Sequence, residues 1–201
     1  DNRVMTQTMS VNGLDLFYRD TGSGEPLLLL HGFTGCGDDW QHVFASPLGG
    51  LRVITPDLRG HGRSSNPSGG FRFADVARDM FALLDRLGIE RVKAIGMSAG
   101  ANTLLHMGTQ QPSRVTALIH VSGTPRFPDQ ARLIMRTFTE DSRTPTDWED
   151  MRARHHRGDD QIRALWRHAR EFADDRDDMN FSAALLSCIT ARTLIVHGDR
   201  D

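Results

Sequence analysis

A serine between two glycines lies in the middle of the chain, in the segment Gly96-Met97-Ser98-Ala99-Gly100. The G-x-S-x-G spacing fits a sharp turn from a strand into a helix, because small residues let the backbone bend tightly and leave the serine hydroxyl exposed. The N-terminus of the following helix would direct backbone N–H groups and the positive end of its dipole towards that hydroxyl. Nucleophilic attack is therefore the chemistry expected of Ser98, and a structural serine in a glycine-rich turn is the alternative.

A second candidate, His31-Gly32-Phe33, follows a short apolar run. The glycine lets the backbone face a neighbouring strand. The N–H of Phe33 and the N–H of Ala99 are therefore expected to point towards the same position. Two such donors aimed at one point form an oxyanion hole. We expect His31 to pack within this loop and not to act as a general base, because it belongs to the turn that carries the donor.

Two further polar segments follow apolar runs. In the segment 57–64, DLRGHGRS, we expect Asp57, Arg59 and His61 to be structural members of a rigid, internally hydrogen-bonded turn. The segment 196–201, VHGDRD, supplies carboxylates that could orient and stabilise a histidine in a Ser–His–acid triad. Catalytic groups in open α/β sheets lie beyond the carboxyl ends of the strands, where these motifs are predicted to be.

The elements that must position these motifs alternate between strand and helix patterns. Strands are predicted over 14–20 (after an Asn12-Gly13 hairpin signal), 27–30, 52–55, 91–97, 115–121 and 192–197. Helices are predicted over 99–110 and along an apolar face from Phe73 to Leu87 that stops at Gly88. This alternation predicts an α/β fold with a doubly wound, mostly parallel sheet.

The pattern changes after Pro125, where charged residues and aromatic residues at helical spacing replace the strand signals. We interpret 1–125 as the core, 126–191 as a helical cap inserted late in the sheet, and 192–201 as the core strand that resumes and ends at the acid turn. Most charges of the cap are expected on a solvated face. Its apolar residues are candidates to cover a substrate pocket: Phe127, Met135, Phe138, Trp148 and Trp166.

The composition excludes several classes of protein. With 24 basic and 26 acidic residues the formal net charge is −2, so no basic excess is present to neutralise nucleic-acid phosphates. No apolar run approaches the length of a membrane span, and Cys36 and Cys188 form neither a CxxC pair nor a disulfide framework. No P-loop, dinucleotide fingerprint or metal-ligand cluster is found, so neither a cofactor nor a metal is expected. A cytoplasmic protein without nucleic-acid or membrane partners is predicted.

The order of the four motifs resembles the α/β-hydrolase superfamily, and the resemblance covers essentially the whole chain, most weakly from 126 to 191. It implies that Ser98 is the nucleophile and that Phe33 and Ala99 supply the oxyanion-hole N–H groups. The acid of the family corresponds to Asp201, with Asp199 as the alternative. Relatives that carry the acid after the preceding strand have a carboxylate there, whereas this sequence reads SGTP over 122–125.

The sequence departs from the family in one respect. The chain order in this fold is Ser, acid, His, and no histidine follows Asp201. The last strand and helix of the family are missing as well. We expect that the sequence is a piece of a longer polypeptide that carries the histidine, and that the 201-residue chain alone is inactive. His61 is the nearest alternative base.

The resemblance implies hydrolysis of a small carboxylic ester through an acyl-enzyme. A serine at the nucleophile position disfavours epoxide hydrolase and haloalkane dehalogenase chemistry, which the family performs with an aspartate there. A lactonase, a C–C bond hydrolase and a cofactor-free perhydrolase would use the same residues. A non-catalytic receptor for a small ligand is the alternative from a different class.

Overall fold

The computed structural model describes residues 5–44 and 48–198, and its central element is one seven-stranded sheet. The strands are β1 (Met5–Val11), β2 (Leu14–Gly22), β3 (Glu25–Leu30), β4 (Leu51–Pro56), β5 (Val92–Met97), β6 (Val115–Val121) and β7 (Arg192–Val196). Their spatial order is β1-β2-β4-β3-β5-β6-β7, and every pair from β4 to β7 is parallel. The predicted mostly parallel sheet is confirmed.

An antiparallel hairpin forms one edge of the sheet. Asn12 and Gly13 both adopt positive φ, 48° and 78°, as the two-residue turn between β1 and β2 requires. The predicted hairpin turn is confirmed, and it pairs β2 with the strand β1, which the sequence does not predict. Most of β1 is exposed, and β2 pairs antiparallel with β4 and so joins the hairpin to the parallel strands.

The central strand β3 is apolar on both faces because both faces of the sheet are covered. Leu28 and Leu30 belong to the main core, together with helices α1 (Phe73–Arg86) and α2 (Ala99–Gln110). Leu27 and Leu29 face the other way, towards Trp40 in the 3₁₀ turn Gly37–His42. Both helices occupy the predicted ranges to within one residue, and Gly88 (φ 69°) follows the end of α1.

A group of helices separates β6 from β7: α3 (Asp129–Met135), α4 (Pro145–Arg154), α5 (Asp159–Glu171) and α6 (Ala183–Leu186). An isolated antiparallel bridge pairs Arg126, before α3, with Asn180, which lies between α5 and α6. The strongest inward face belongs to α5, with Ile162, Leu165 and Trp166 buried against Met151 of α4. We use "cap" below for residues 126–191.

The other edge of the sheet is β7. Its register with β6 pairs Val121 with Val196, just as β5 and β6 pair Met97 with Val121. Leu194, Ile195 and Val196 are each between 44% and 69% exposed. Within the part of the chain that the structure describes, no helix has the length and apolar character needed to cross a bilayer.

Candidate active site

Ser98 sits at the junction of β5 and α2 in a strained backbone conformation, φ 50° and ψ −111°. Its N–H donates to the carbonyl of Val121 (2.8 Å), and its own carbonyl accepts from the N–H of Asn102 (2.9 Å). The residue is exposed, whereas Ala99 and Gly100 behind it are buried. The predicted turn is present, and it places the serine hydroxyl on the surface at the carboxyl end of β5.

The two glycines of the motif are required by close packing. A Cβ on Gly96 would lie 2.5 Å from the carbonyl carbon of Gly100, so the helix would have to move away from the strand. A Cβ on Gly100 would lie 2.1 Å from the carbonyl oxygen of Leu30 in β3. The G-x-S-x-G pattern therefore reflects direct contact of α2 with β5 and β3, and this contact fixes the turn that carries Ser98.

The predicted oxyanion turn follows β3, the strand next to β5. Residues 32–35 form a turn closed by the N–H of Gly35 and the carbonyl of Gly32 (3.1 Å). A Cβ on Gly32 would be 3.7 Å from the Cβ of Ser98, so this backbone lies against the serine. Among the described residues, none accepts a hydrogen bond from the N–H of Phe33 or of Ala99, the first residue of α2. Two backbone donors next to Ser98 are thus available to a ligand.

His31 has a structural role, as predicted. The ring is fully buried, and its Nδ1 lies 2.7 Å from the carbonyl oxygen of Gly32, to which it donates. Its Nε2 then accepts from the N–H of Leu58 (3.0 Å). Burial lowers the pKa of His31, which favours this neutral form. The histidine fastens the oxyanion turn to the 57–64 segment.

The 57–64 segment is the rigid turn that the sequence predicts. The two carboxylate oxygens of Asp57 accept from the N–H groups of Gly37 and Arg63, each at 2.8 Å. A Cβ on Gly62 would lie 2.1 Å from the Asp57 carboxylate. Arg59 forms a buried bidentate pair with Asp79 of α1, at 2.7 and 2.8 Å. Asp57 and Arg59 thus form internal hydrogen bonds, which hold the 57–64 segment rigid beneath the site.

His61 lies in the core next to the site. Its Nδ1 donates to the carbonyl of Arg59 (3.0 Å), and its ring packs 4.9 Å from the Phe33 ring and 5.9 Å from the His155 ring. Burial, followed by the nearby His31 and His155, holds the pKa of His61 well below its ordinary value. Within the described ranges no histidine hydrogen-bonds to the Ser98 hydroxyl.

The predicted acid, Asp201, and its alternative, Asp199, lie outside the described residues. The strand that leads to them is in place. Met97, Val121 and Val196 are in register across the three parallel strands β5, β6 and β7. The residues that follow the first and the last of them, Ser98 and His197, therefore lie at the same level of the sheet. Two strand spacings separate them, about 10 Å.

The cap contacts the site through Phe33. Its ring packs edge-to-face on Phe172 (4.9 Å) and Phe71 (5.2 Å), and it also touches the apolar cluster of α4 and α5. Of the predicted pocket residues, Phe127 and Met135 pack on the main core, Trp148 and Trp166 contact each other at 4.6 Å, and Phe138 stacks on Arg143.

Phe71 and the cap residue His155 were missed by the sequence analysis. Neither lies on a periodic face or in a recognisable motif, so no sequence signal marks them.

A comparison of the sequence with known protein families identifies the family of this chain. The sequence profile described as "alpha/beta hydrolase fold" matches residues 25–164, well over half of the chain. The chain belongs to this family. The α/β hydrolase fold of the chain carries Ser98, Phe33 and Ala99 within the matched segment.

Curated relatives are identical to this chain at about a third of the aligned positions. A putative non-heme chloroperoxidase of Synechocystis sp. is 34% identical over 116 residues, which cover 57% of this chain and 42% of that protein. Epoxide hydrolase 2 of Siraitia grosvenorii is 36% identical over 124 residues, which cover 60% and 39%. The chain thus matches about two fifths of the length of these relatives.

Solved structures agree in fold. An esterase from Thermogutta terrifontis superposes with a TM-score of 0.74 at 24% identity, covering 98% of this chain and 80% of that one. The meta-cleavage product hydrolase from Pseudomonas fluorescens IP01 gives a TM-score of 0.73 at 19% identity, covering 96% and 79%. At these identities the likeness shows the fold alone.

No group of three potential metal ligands occurs in the described ranges.

Proposed function

We propose that this chain forms the nucleophile-bearing part of a serine hydrolase that cleaves small carboxylic esters through an acyl-enzyme on Ser98. One observation carries the proposal. The exposed Ser98 occupies a strained turn at the N-terminus of α2, beside two backbone N–H groups without partners among the described residues. An exposed hydroxyl beside such donors suits attack on a carbonyl whose oxygen becomes negative.

In the proposed reaction the Ser98 Oγ attacks the ester carbonyl while a general base takes its proton. The N–H groups of Phe33 and Ala99 donate to the oxyanion of the tetrahedral intermediate. Collapse of the intermediate breaks the C–O bond, and the protonated base returns the proton to the leaving alkoxide, which departs as the alcohol. Water then repeats the sequence on the acyl-enzyme, releases the carboxylic acid and restores the serine.

The base and its acid complete the proposal. The chain order of this fold is Ser, acid, His, so we assign Asp201 as the acid and a histidine after it as the base. His61 is less suitable, because its Nδ1 is engaged by Arg59 and its ring is fully buried. The complete gene product is therefore the right material for any assay of activity.

The chemistry of serine separates ester hydrolysis from the epoxide opening named for one relative. If a serine oxygen opened an epoxide, the covalent product would be an ether, and water does not cleave an ether at neutral pH. An aspartate would instead give an ester that water can hydrolyse. Ser98 therefore favours acyl transfer over epoxide hydrolysis for this chain.

A second candidate follows from the relative described as a putative non-heme chloroperoxidase. An acyl-enzyme on Ser98 can be attacked by hydrogen peroxide in place of water, which yields a peracid and the same free serine. The reaction needs no residue beyond those already assigned. Peracid formation from an ester and hydrogen peroxide, measured beside ester hydrolysis, distinguishes the two outcomes.

The test is turnover of p-nitrophenyl acetate by the complete gene product and its Ser98→Ala variant. We expect kcat to fall by roughly 10⁴–10⁶, because only binding and the oxyanion hole would remain. Ser113→Ala, in the turn before β6 at the opposite end of the sheet, is the control and should keep full activity. Near-normal turnover by folded Ser98→Ala would refute the nucleophile. Ligand binding without turnover by the unaltered protein would favour a receptor.

A further inference from the structure

One cap side chain reaches both loops that build the site. His155 follows the last turn of α4 and is only 3% exposed. Its Nδ1 lies 2.9 Å from the N–H of Gly62 in the 57–64 segment, and its Nε2 lies 3.0 Å from the carbonyl oxygen of Thr34 in the oxyanion turn. A single imidazole therefore bridges two core loops that are far from it in sequence.

The two partners fix the protonation of this ring. An N–H group can only donate, so Nδ1 must carry the lone pair that accepts from Gly62. The proton is then on Nε2, where it donates to the carbonyl of Thr34. The bridge requires the neutral Nε2–H tautomer, since an imidazolium would oppose one N–H with another. Burial lowers the pKa of His155 to about 4, so this form is kept at neutral pH.

The bonded carbonyl belongs to a strained residue beside the oxyanion donor. Thr34 directly follows Phe33 and adopts φ 63°, a conformation that non-glycine residues rarely take. Such a conformation costs free energy and persists only where surrounding contacts hold it. The bond from His155 is one of these contacts, together with the closure of the turn between Gly35 and Gly32.

Further hydrogen bonds next to His155 attach the cap to the 57–64 segment and so fix the position of the His155 ring. The N–H of His156 donates to the carbonyl of Gly62 (3.0 Å), and the Nε2 of Gln161 donates to the carbonyls of Gly60 and Gly62, each at 3.0 Å. These bonds fasten the cap to the 57–64 segment alone. The ring of Phe33 also packs on the cap, but among the hydrogen bonds of the described residues the one from the Nε2 of His155 is the one that joins the cap to the backbone of the oxyanion turn.

We propose that His155 is a positioning residue through which the cap sets the oxyanion turn 32–35 and thereby the N–H of Phe33. The proposal rests on the proposed function, since its catalytic consequence requires that Phe33 stabilise an oxyanion. Its structural part does not depend on turnover. Through this residue the cap acts on the rate of the chemical step.

Three variants separate positioning from general stability. His155→Phe keeps a buried ring but removes both hydrogen bonds. His155→Gln offers one acceptor and one donor on a single amide and can restore the bridge. Gln161→Leu removes the bonds from Gln161 to the 57–64 segment and the bond that its Oε1 accepts from the N–H of Arg157, so it loosens the cap without touching the oxyanion turn.

We expect His155→Phe to lower kcat for p-nitrophenyl acetate about 10–100-fold with little change in KM, because an interaction made in the transition state is weakened. His155→Gln should recover most of the loss, and Gln161→Leu should lower the melting temperature but keep kcat. Equal loss of kcat in Gln161→Leu and His155→Phe, or no loss in His155→Phe, would overturn the proposal.

A second measurement decides the structural part even if the gene product hydrolyses no ester. Amide hydrogen exchange of residues 32–35 should be faster in His155→Phe than in the unaltered protein and in Gln161→Leu, because only the first variant frees Thr34. Unchanged exchange in this turn would overturn the positioning role, whereas faster exchange without any esterase activity would contradict the proposed function alone.

Discussion

At the scale of single residues, the site depends on backbone strain held by packing. Ser98 and Thr34 both adopt positive φ, which costs of order 1–3 kcal/mol for each residue and must be offset by neighbouring contacts. For Ser98 these contacts come from α2, whose first turn can approach β3 only because Gly100 lacks a side chain. The strain and the glycine are therefore two parts of one arrangement that exposes the serine hydroxyl.

Gly100→Ala tests this dependence on close packing. The added Cβ would meet the backbone oxygen of Leu30 at 2.1 Å, so α2 must shift. We expect a loss of about 1–3 kcal/mol in the free energy of unfolding, measured by urea denaturation, and a loss of esterase activity. Gly70→Ala is the matched control, because a Cβ there meets nothing within 4 Å. Equal stability of the two variants would contradict the packing argument.

The local geometry around Ser98 could be predicted at this scale, because a short motif encodes it. The spacing around Ser98 encodes a turn, and the structure contains that turn. The role of His155 could not be predicted, since its two partners are backbone groups of distant loops and backbone groups leave no trace in the sequence. Asp201 remains a prediction, as it lies outside the described residues.

At the scale of elements, the turn 57–64 is held to α1 by a buried ion pair. Asp79 has no exposed surface, and its carboxylate accepts from Arg59 and from the side-chain amide of Asn12. Removing one partner of a buried pair leaves an uncompensated charge, which is far more costly than losing a surface pair. This pair therefore links the floor of the site to the core.

Asp79→Ala should lower the free energy of unfolding by about 3–5 kcal/mol, because Arg59 stays buried without its carboxylate. Asp174→Ala removes an aspartate that pairs with Arg136 on the surface, where the two side chains are 76% and 47% exposed, and should cost at most about 1 kcal/mol. Chemical denaturation of both variants at pH 7 makes the comparison. Similar losses would show that the buried pair has no special role.

The elements themselves were predictable to different degrees. Parallel strands such as β3 are buried on both faces, so they appear as continuous apolar runs, and the helix α1 shows a clear apolar face. The strand β1 has almost no buried residue, so hydrophobic alternation could not reveal it. It forms because the Asn12-Gly13 turn pairs it with β2. Such pairing between strands cannot be predicted from the composition of β1 alone.

At the scale of the whole molecule, three buried histidines hold loops together, and one of them, His155, joins the cap to the core. Burial lowers the pKa of His31, His61 and His155, in the last case to about 4. In the unfolded chain each of these groups titrates near 6.5. Above that pH they are neutral in both states and do not alter stability. Below it the unfolded chain takes up protons that the native fold excludes.

The free energy of unfolding should therefore be full above about pH 6.5 and decline as the pH falls towards 4, by at most about 1.4 kcal/mol per pH unit for each of these histidines. Urea midpoints at pH 7 and pH 5 measure the decline. His61→Phe should reduce the difference between the two midpoints, whereas His156→Gln, at an exposed position, should not. A midpoint that does not change with pH would be inconsistent with buried neutral histidines.

The measurement that tests the central claim most directly is the site of a covalent adduct. The complete gene product is treated with a fluorophosphonate, in which a serine oxygen displaces fluoride from phosphorus, and the modified peptide is located by mass spectrometry. If Ser98 is the activated nucleophile, a single adduct forms on Ser98, and labelling is lost in Ser98→Ala. An adduct on another serine, or ester turnover that continues while Ser98 stays unmodified, would contradict the account.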